Sequence, residues 1–167
     1  MPKTLTIVRH AKSSWSDGSL PDRERPLNRR GEKDAPEMGR RIADAGIRPS
    51  LIISSPAVRA WSTAKAVAHT LSYPVEFLQR ESALYHASVD TIVDVICAQD
   101  NRFNNLMLFG HNPGLTEFAN FLRPGLTNNL PTAGVVCVEI EQDDWSLHAR
   151  PTTSLVLYDY PRNTGDD

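Results

Sequence analysis

Cysteine is scarce in this chain: among 167 residues only Cys97 and Cys137 occur, far apart and each inside an apolar pattern. That excludes a disulfide framework and any paired-cysteine metal spacing, and it predicts buried, inert thiols in a reducing compartment. No apolar run approaches the ~20 residues that a membrane-spanning helix needs. The start, Met1-Pro2-Lys3, lacks the apolar stretch of a signal peptide, so a cytoplasmic protein is expected. An excess of one charge is missing too, since 18 Lys and Arg face 20 Asp and Glu, for a net charge of -2. No global positive field is then available to recruit nucleic acid or an anionic membrane, and neither is expected as a partner. The densest basic stretch, Arg23 to Lys33, is broken by Glu24 and Glu32 and reads as a mixed, solvated surface, Arg25 apart. Neither an internal repeat nor a linker divides the chain. It is read as one domain over 1–162 with a polar tail at 163–167.

What is present is an alternation of strand and helix signals. Thr4 to Val8, Leu51-Ile52-Ile53 and Leu106 to Phe109 are short β-type runs. Val58, Trp61, Ala64, Ala68 and Leu71 recur by three and four, as do Leu115, Phe118, Ala119 and Leu122, giving two amphipathic helices. Ser55 with Pro56, and Asn112 with Pro113, have the form of helix starts: a capping side chain, then proline at the first position. Ser88 predicts a cap for a third helix carrying Ile92, Val93 and Ile96. Met38, Ile42 and Ala45 mark another helix, which either starts near Pro36 or bends there. Val75–Leu78, Val135–Ile140 and Ser154–Tyr158 are further strand candidates. The class is α/β, a mostly parallel central sheet with helices on both faces and right-handed crossovers.

The ends of three of these strands carry the chemistry. Such sheets hold their ligands beyond the carboxyl ends of the strands. The first run stops on Arg9-His10, the second on Ser54-Ser55-Pro56 with Arg59 close behind, and the third on Gly110-His111-Asn112. An arginine binds two phosphate oxygens at once and keeps its charge, and a helix N-terminus adds free N–H groups. Two arginines and two histidines at one sheet mouth therefore suit a phosphate dianion and a nucleophile that attacks it. A neutral His10 nitrogen attacks phosphorus in line, a phosphohistidine forms, and water releases phosphate; Arg9, Arg59 and His111 hold the equatorial oxygens. The guanidiniums supply the neutralising charge, so neither a metal nor any other cofactor is called for. A zinc or iron site on His10, His86 and His111 would need carboxylate partners that the pattern does not show.

These residues resemble the histidine phosphatase superfamily, also called phosphoglycerate mutase-like. Its signature is an Arg-His pair closing the first strand, an arginine after a Ser-Pro turn and a second histidine after a later strand. Val8-Arg9-His10, Ser55-Pro56-Ala57-Val58-Arg59 and Gly110-His111-Asn112 match it in order and approximate spacing over residues 4–122. The resemblance implies a phosphoglycerate mutase-like fold and a transiently phosphorylated His10. Arg25-Pro26-Leu27 and the stretch from Arg9 to Trp15 look like the small bacterial phosphohistidine phosphatases of that superfamily, which makes Arg25 a further phosphate ligand. Larger members carry an acid after a middle strand to protonate the leaving group, and Glu81 is the candidate for that position.

Two departures matter. Ala11 stands where many members have glycine after the histidine. No long insertion separates His10 from Arg59 or Glu81 from His111, which predicts an open, shallow site fitted to a phosphate displayed on a protein. The expected substrate is a phosphorylated protein, such as a phosphorelay domain. A small phosphomonoester is the alternative, and a phosphate-binding regulatory module without turnover is the third reading.

Overall fold

Alternation of side chains along each strand decides the layers here. In the computed structural model, which describes residues 2–163, ten regular elements follow one another: β1 (Lys3–Arg9), α1 (Arg29–Asp44), β2 (Leu51–Ser54), α2 (Val58–Thr70), β3 (Gln79–Arg80), α3 (Val89–Cys97), β4 (Asn105–Gly110), α4 (Gly114–Leu122), β5 (Val135–Ile140) and β6 (Thr153–Asp159). Leu5, Ile7, Leu51, Ile53, Leu106 and Leu108 pack on one face with Ile92 and Ile96 of α3 and Leu115 and Phe118 of α4. Their chain neighbours Val8, Ile52, Met107 and Phe109 face the other way, onto Met38 and Ile42 of α1 and Ala64 and Val67 of α2. A period of two along the strands thus builds two cores from one sheet. Strands buried on both faces read as continuous apolar runs.

The sheet has six strands in the order β3-β2-β4-β1-β5-β6. Pairings among β3, β2, β4 and β1 are parallel; β5 and β6 join antiparallel. The sheet is therefore mostly parallel with an antiparallel edge. The last residues of the tail expected at 163–167, residues 164–167, lie outside the described residues, and the domain limits of 1–162 remain an expectation.

Several local expectations change. Val75–Leu78 is not a strand: after Pro74, Val75–Phe77 forms one 3-10 turn. Phe77 is exposed and only Leu78 is buried, so there is no second row of side chains to pack, and pairing with β2 is limited to Gln79 and Arg80. α1 does not start near Pro36. It starts at Arg29 under an Asn28 cap whose side chain accepts from the Gly31 N–H, and it runs through the proline. Cys137 is buried as expected, while Cys97 is only half-buried.

Two glycines are required by close approach. A Cβ on Gly31 would sit 2.1 Å from the Lys12 carbonyl oxygen, and one on Gly114 would sit 2.0 Å from that of Ala87. The first contact lets α1 back onto the segment after His10. The second brings the start of α4 against the loop that carries Tyr85 and His86.

Candidate active site

β2, β4 and β1 are neighbours, so their carboxyl ends open side by side. Arg9 pairs with Gly110 in register, and Ser54 with Phe109. His10 follows directly, held from both sides: its N–H donates to the Gly110 carbonyl at 3.1 Å, and its carbonyl accepts from the Ala133 N–H at 3.0 Å. Arg59 enters from the first turn of α2, and His111 leaves β4 one residue after its end. Sheet topology thus joins residues fifty and a hundred positions apart in sequence.

The imidazoles are in defined states. The His10 Nδ1 lies 2.7 Å from the Ala11 carbonyl oxygen, which only accepts, so Nδ1 carries the proton and Nε2 keeps a free lone pair. Burial, with the Arg59, Arg9 and Arg25 charges against it, pushes the His10 pKa down to about 4. At His111, Nε2 lies 2.7 Å from the Ser55 hydroxyl. That hydroxyl oxygen also accepts from the Ala57 N–H at 3.2 Å, and when it donates its own proton to His111 Nε2 the His111 proton is on Nδ1. Burial and the neighbouring positive groups lower the His111 pKa to about 2. His111 is a neutral N–H donor, and His10 is a neutral nucleophile 5.2 Å away between ring centroids.

Arg59 Nε, Arg9 Nε and His111 Nδ1 are buried and have no hydrogen-bond partner among the described residues. Buried polar groups are nearly always paired; the Arg9 and Arg59 charges act on His10 and His111 lies 5.2 Å from it, so these unpaired groups suit an anion at the same strand ends. A tetrahedral oxyanion is one such anion. Arg25 lies further out: its Nη1 donates to the Ser13 hydroxyl at 2.8 Å, and its guanidinium stacks on Trp15 at 3.6 Å. Four of the expected side chains are buried, with His10 and Arg25 at 7%, Arg59 at 2% and His111 at 4% exposure, while Arg9 and Glu81 are half-buried. Ala11, the departure from glycine, is accommodated: its N–H donates to the Thr63 hydroxyl at 3.0 Å.

Not every expected role holds. Ser55 and Pro56 do not open α2, whose cap position is Ala57 without a side-chain bond, because the Ser55 hydroxyl is taken by His111. Asn112 likewise does not cap α4 at its first residue. Pro113 holds that position, and the Asn112 side chain accepts instead from the Thr116 N–H and hydroxyl. Ser88 does cap α3, accepting from the Thr91 N–H. Glu81 stands at the end of β3 but caps a 3-10 turn, its carboxylate accepting from the Ala83 N–H at 3.4 Å. No hydrogen bond joins it to the histidines or arginines among the described residues. His86 does approach His111, at 5.3 Å between rings. Among the described residues no group of three or more His, Cys, Asp or Glu side chains is arranged to hold a metal.

One member of the site is not expected from the sequence. Asp22, in a 3-10 turn at Asp22–Glu24, accepts from Arg59 Nη2 at 2.9 Å, Arg25 Nε at 3.2 Å and the Tyr85 hydroxyl at 2.5 Å. These donors hold its carboxyl far below the usual carboxylate range, with Tyr85 the largest cause and Arg59 and Arg25 behind it. The only local signal is its position three residues before Arg25. Its other partners lie 37 and 63 residues away.

At these strand ends, in a mostly parallel sheet, a free imidazole nitrogen stands among arginine side chains. Residues 5–81 match the family model of the histidine phosphatase superfamily, branch 1. Phosphatase chemistry is the class of activity that this match supports. An uncharacterised chloroplastic protein of Arabidopsis thaliana is 28% identical over 156 residues, 86% of this chain and 69% of the relative. A structure provisionally assigned as the phosphohistidine phosphatase SixA of Agrobacterium tumefaciens superposes with TM-score 0.80 at 25% identity, covering 96% of this chain and 99% of that one. The protein histidine phosphatase SixA complexed with tungstate superposes with TM-score 0.79 at 21% identity, covering 96% and 98%. No helix among the described residues is long and apolar enough to cross a membrane.

Proposed function

We propose that this protein removes phosphate from phosphohistidine on another protein by transient phosphorylation of His10. The observation that carries this reading is the unshared Nε2 of His10 beside three buried donors without partners. Nε2 attacks phosphorus and the substrate P–N bond breaks. Arg9, Arg59 and His111 hold the equatorial oxygens, where the transition state gathers charge. Water then cleaves the phosphohistidine, and the electron pair returns to Nε2. Guanidinium charge takes the place of a metal ion in this scheme, and no cofactor takes part.

A phosphoprotein is favoured over a phosphate ester by the carboxyl group at the site. An ester needs a protonated acid to release its alkoxide, whereas Asp22 is held ionised and the Glu81 carboxylate is turned to Ala83. The SixA structure named for a protein histidine phosphatase and complexed with tungstate, a tetrahedral oxyanion, supports the same reading.

The test is to incubate the protein with a phosphohistidine domain and with small phosphate esters, quench in alkali, and map the label. Phosphate on His10, no label or turnover in His10→Ala, and higher kcat/KM for the phosphohistidine domain are expected. A sugar phosphate preferred by orders of magnitude transfers the assignment to a small-molecule phosphatase. Binding without turnover leaves a phosphate-responsive regulatory module.

A further inference from the structure

Asp22 is the residue that the phosphoryl-transfer scheme leaves unused, and its surroundings form a second compartment at the mouth. Its side chain is 40% exposed, as against the nearly closed Arg59 behind it. Its Oδ2 takes the Arg59, Tyr85 and His86 contacts, the last at 3.3 Å. Its Oδ1 accepts a single bond, from Arg25 Nε, and so retains acceptor capacity toward solvent. The rings of Tyr85 and His86 lie 4.1 Å apart and flank His111 at 5.4 and 5.3 Å. His86 occupies the left-handed region, with φ of 53°, which a histidine adopts at a cost. That conformation holds its half-exposed ring at the rim. The result is an aromatic wall and an anion beside His111, whose ring centroid lies 5.2 Å from that of His10.

We infer that Asp22, Tyr85 and His86 form a subsite for the leaving ring of the substrate, in which the Asp22 carboxylate accepts the N–H of a ring-protonated phosphohistidine and so selects it over phosphate esters. This rests on the phosphohistidine reading above. A phosphohistidine ring protonated on its second nitrogen is cationic. As His10 Nε2 forms its bond to phosphorus, the substrate P–N bond breaks and its electron pair stays on the ring nitrogen. The ring leaves as neutral imidazole, retaining its N–H, and no acid is consumed. Water then adds to phosphorus, the His10 N–P bond breaks, and the product departs as dihydrogen phosphate. An anion beside the leaving group binds a cationic ring and opposes an ester oxygen that gathers negative charge. The other charged or titratable groups facing Asp22 are Arg25, Arg59, His86 and Tyr85, with Arg23 stacked over the Tyr85 ring at 5.0 Å. Asp22 is the carboxylate among them.

Asp22→Asn removes the charge and keeps the shape; its single amide oxygen can accept from Arg59 or from Arg25 but not from both, a loss that both substrates share. The measurement is kcat/KM on phosphoimidazole and on p-nitrophenyl phosphate for the wild type, Asp22→Asn and Asp22→Glu. Removing one charge contact worth about one pKa unit lowers the phosphoimidazole to aryl phosphate ratio about tenfold in Asp22→Asn. Asp22→Glu, which restores the charge, recovers part of that ratio. Equal losses on both substrates overturn the inference and reduce Asp22 to a residue that positions Arg25 and Arg59. A wild-type protein that hydrolyses the aryl phosphate and leaves phosphoimidazole intact overturns the phosphohistidine reading itself, and does so without any variant.

Discussion

Arg59 illustrates why residue type matters more than charge at this site. Its terminal nitrogens bind Asp22, both backbone carbonyl and carboxylate, while Nε remains unpaired. An ammonium lacks the planar fork that places two terminal nitrogens on Asp22 and Nε elsewhere, so Arg59→Lys is expected to lower kcat/KM by about 100-fold or more, the usual scale for losing a transition-state donor. Steady-state kinetics on any turned-over substrate checks it. Ser55 acts one step back: Ser55→Ala removes the hydroxyl that assigns the His111 proton to Nδ1, and a roughly tenfold fall in kcat is expected, in line with one lost hydrogen bond. The histidines also set a pH dependence. Both are lowered when folded, so the unfolded chain binds more protons between the ordinary histidine value of 6.5 and the folded values of about 4 and about 2. Stability contributed by these neutral rings is present above pH 6.5 and is lost progressively as pH falls toward 4. Urea midpoints measured from pH 7 to pH 4 should decline, and the decline should be shallower in His10→Ala.

At the scale of elements, the site depends on loops pressed against helix starts. The segment from Lys12 to Asn28 is closed by the Asn28 N–H on the Lys12 carbonyl at 3.0 Å and by a bridge between Ser13 and Leu27. This closure presents Arg25 and Asp22 to Arg59. Asn28→Ala removes the α1 cap and is expected to cost about 1 kcal/mol in urea unfolding. Gly114→Ala drives a Cβ into the Ala87 carbonyl, so a loss of roughly 1–3 kcal/mol is expected. Because that contact seats the loop bearing Tyr85 and His86, activity should fall by more than the fraction unfolded accounts for. Equal effects would separate the loop from catalysis.

For the molecule as a whole, positive charge at the site exceeds negative: Arg9, Arg25 and Arg59 converge with only Asp22 opposing them in the contacts of the site. Burial lowers the Arg9 pKa, and repulsion from Arg59 adds to that effect. A tetrahedral oxyanion relieves that repulsion. Vanadate or tungstate at 100 times Kd should stabilise the protein by about 2.7 kcal/mol, read as a rise in Tm. Treatment with EDTA should leave turnover unchanged. Activity lost on chelation and restored by one divalent ion would contradict the charge-only scheme.

The sequence by itself determined the strand ends and what stands on them. Arg9, His10, Arg59 and His111 were legible because each follows an apolar run whose period and composition mark a strand in a sheet of this class. The alternation of elements also foretold a mostly parallel sheet with two covered faces. Which strands are neighbours was not legible, because pairing is settled by the burial of both faces together, as in β4 lying between β2 and β1. Only that adjacency sets His111 beside His10. The same holds for Asp22, whose turn carries no period and whose partners come from three other parts of the chain. Ser55 and Asn112 carry the signature of helix caps; Asn112 does accept from the Thr116 N–H in the first turn of α4, while the buried Ser55 hydroxyl is shared with His111, which the fold brings within reach.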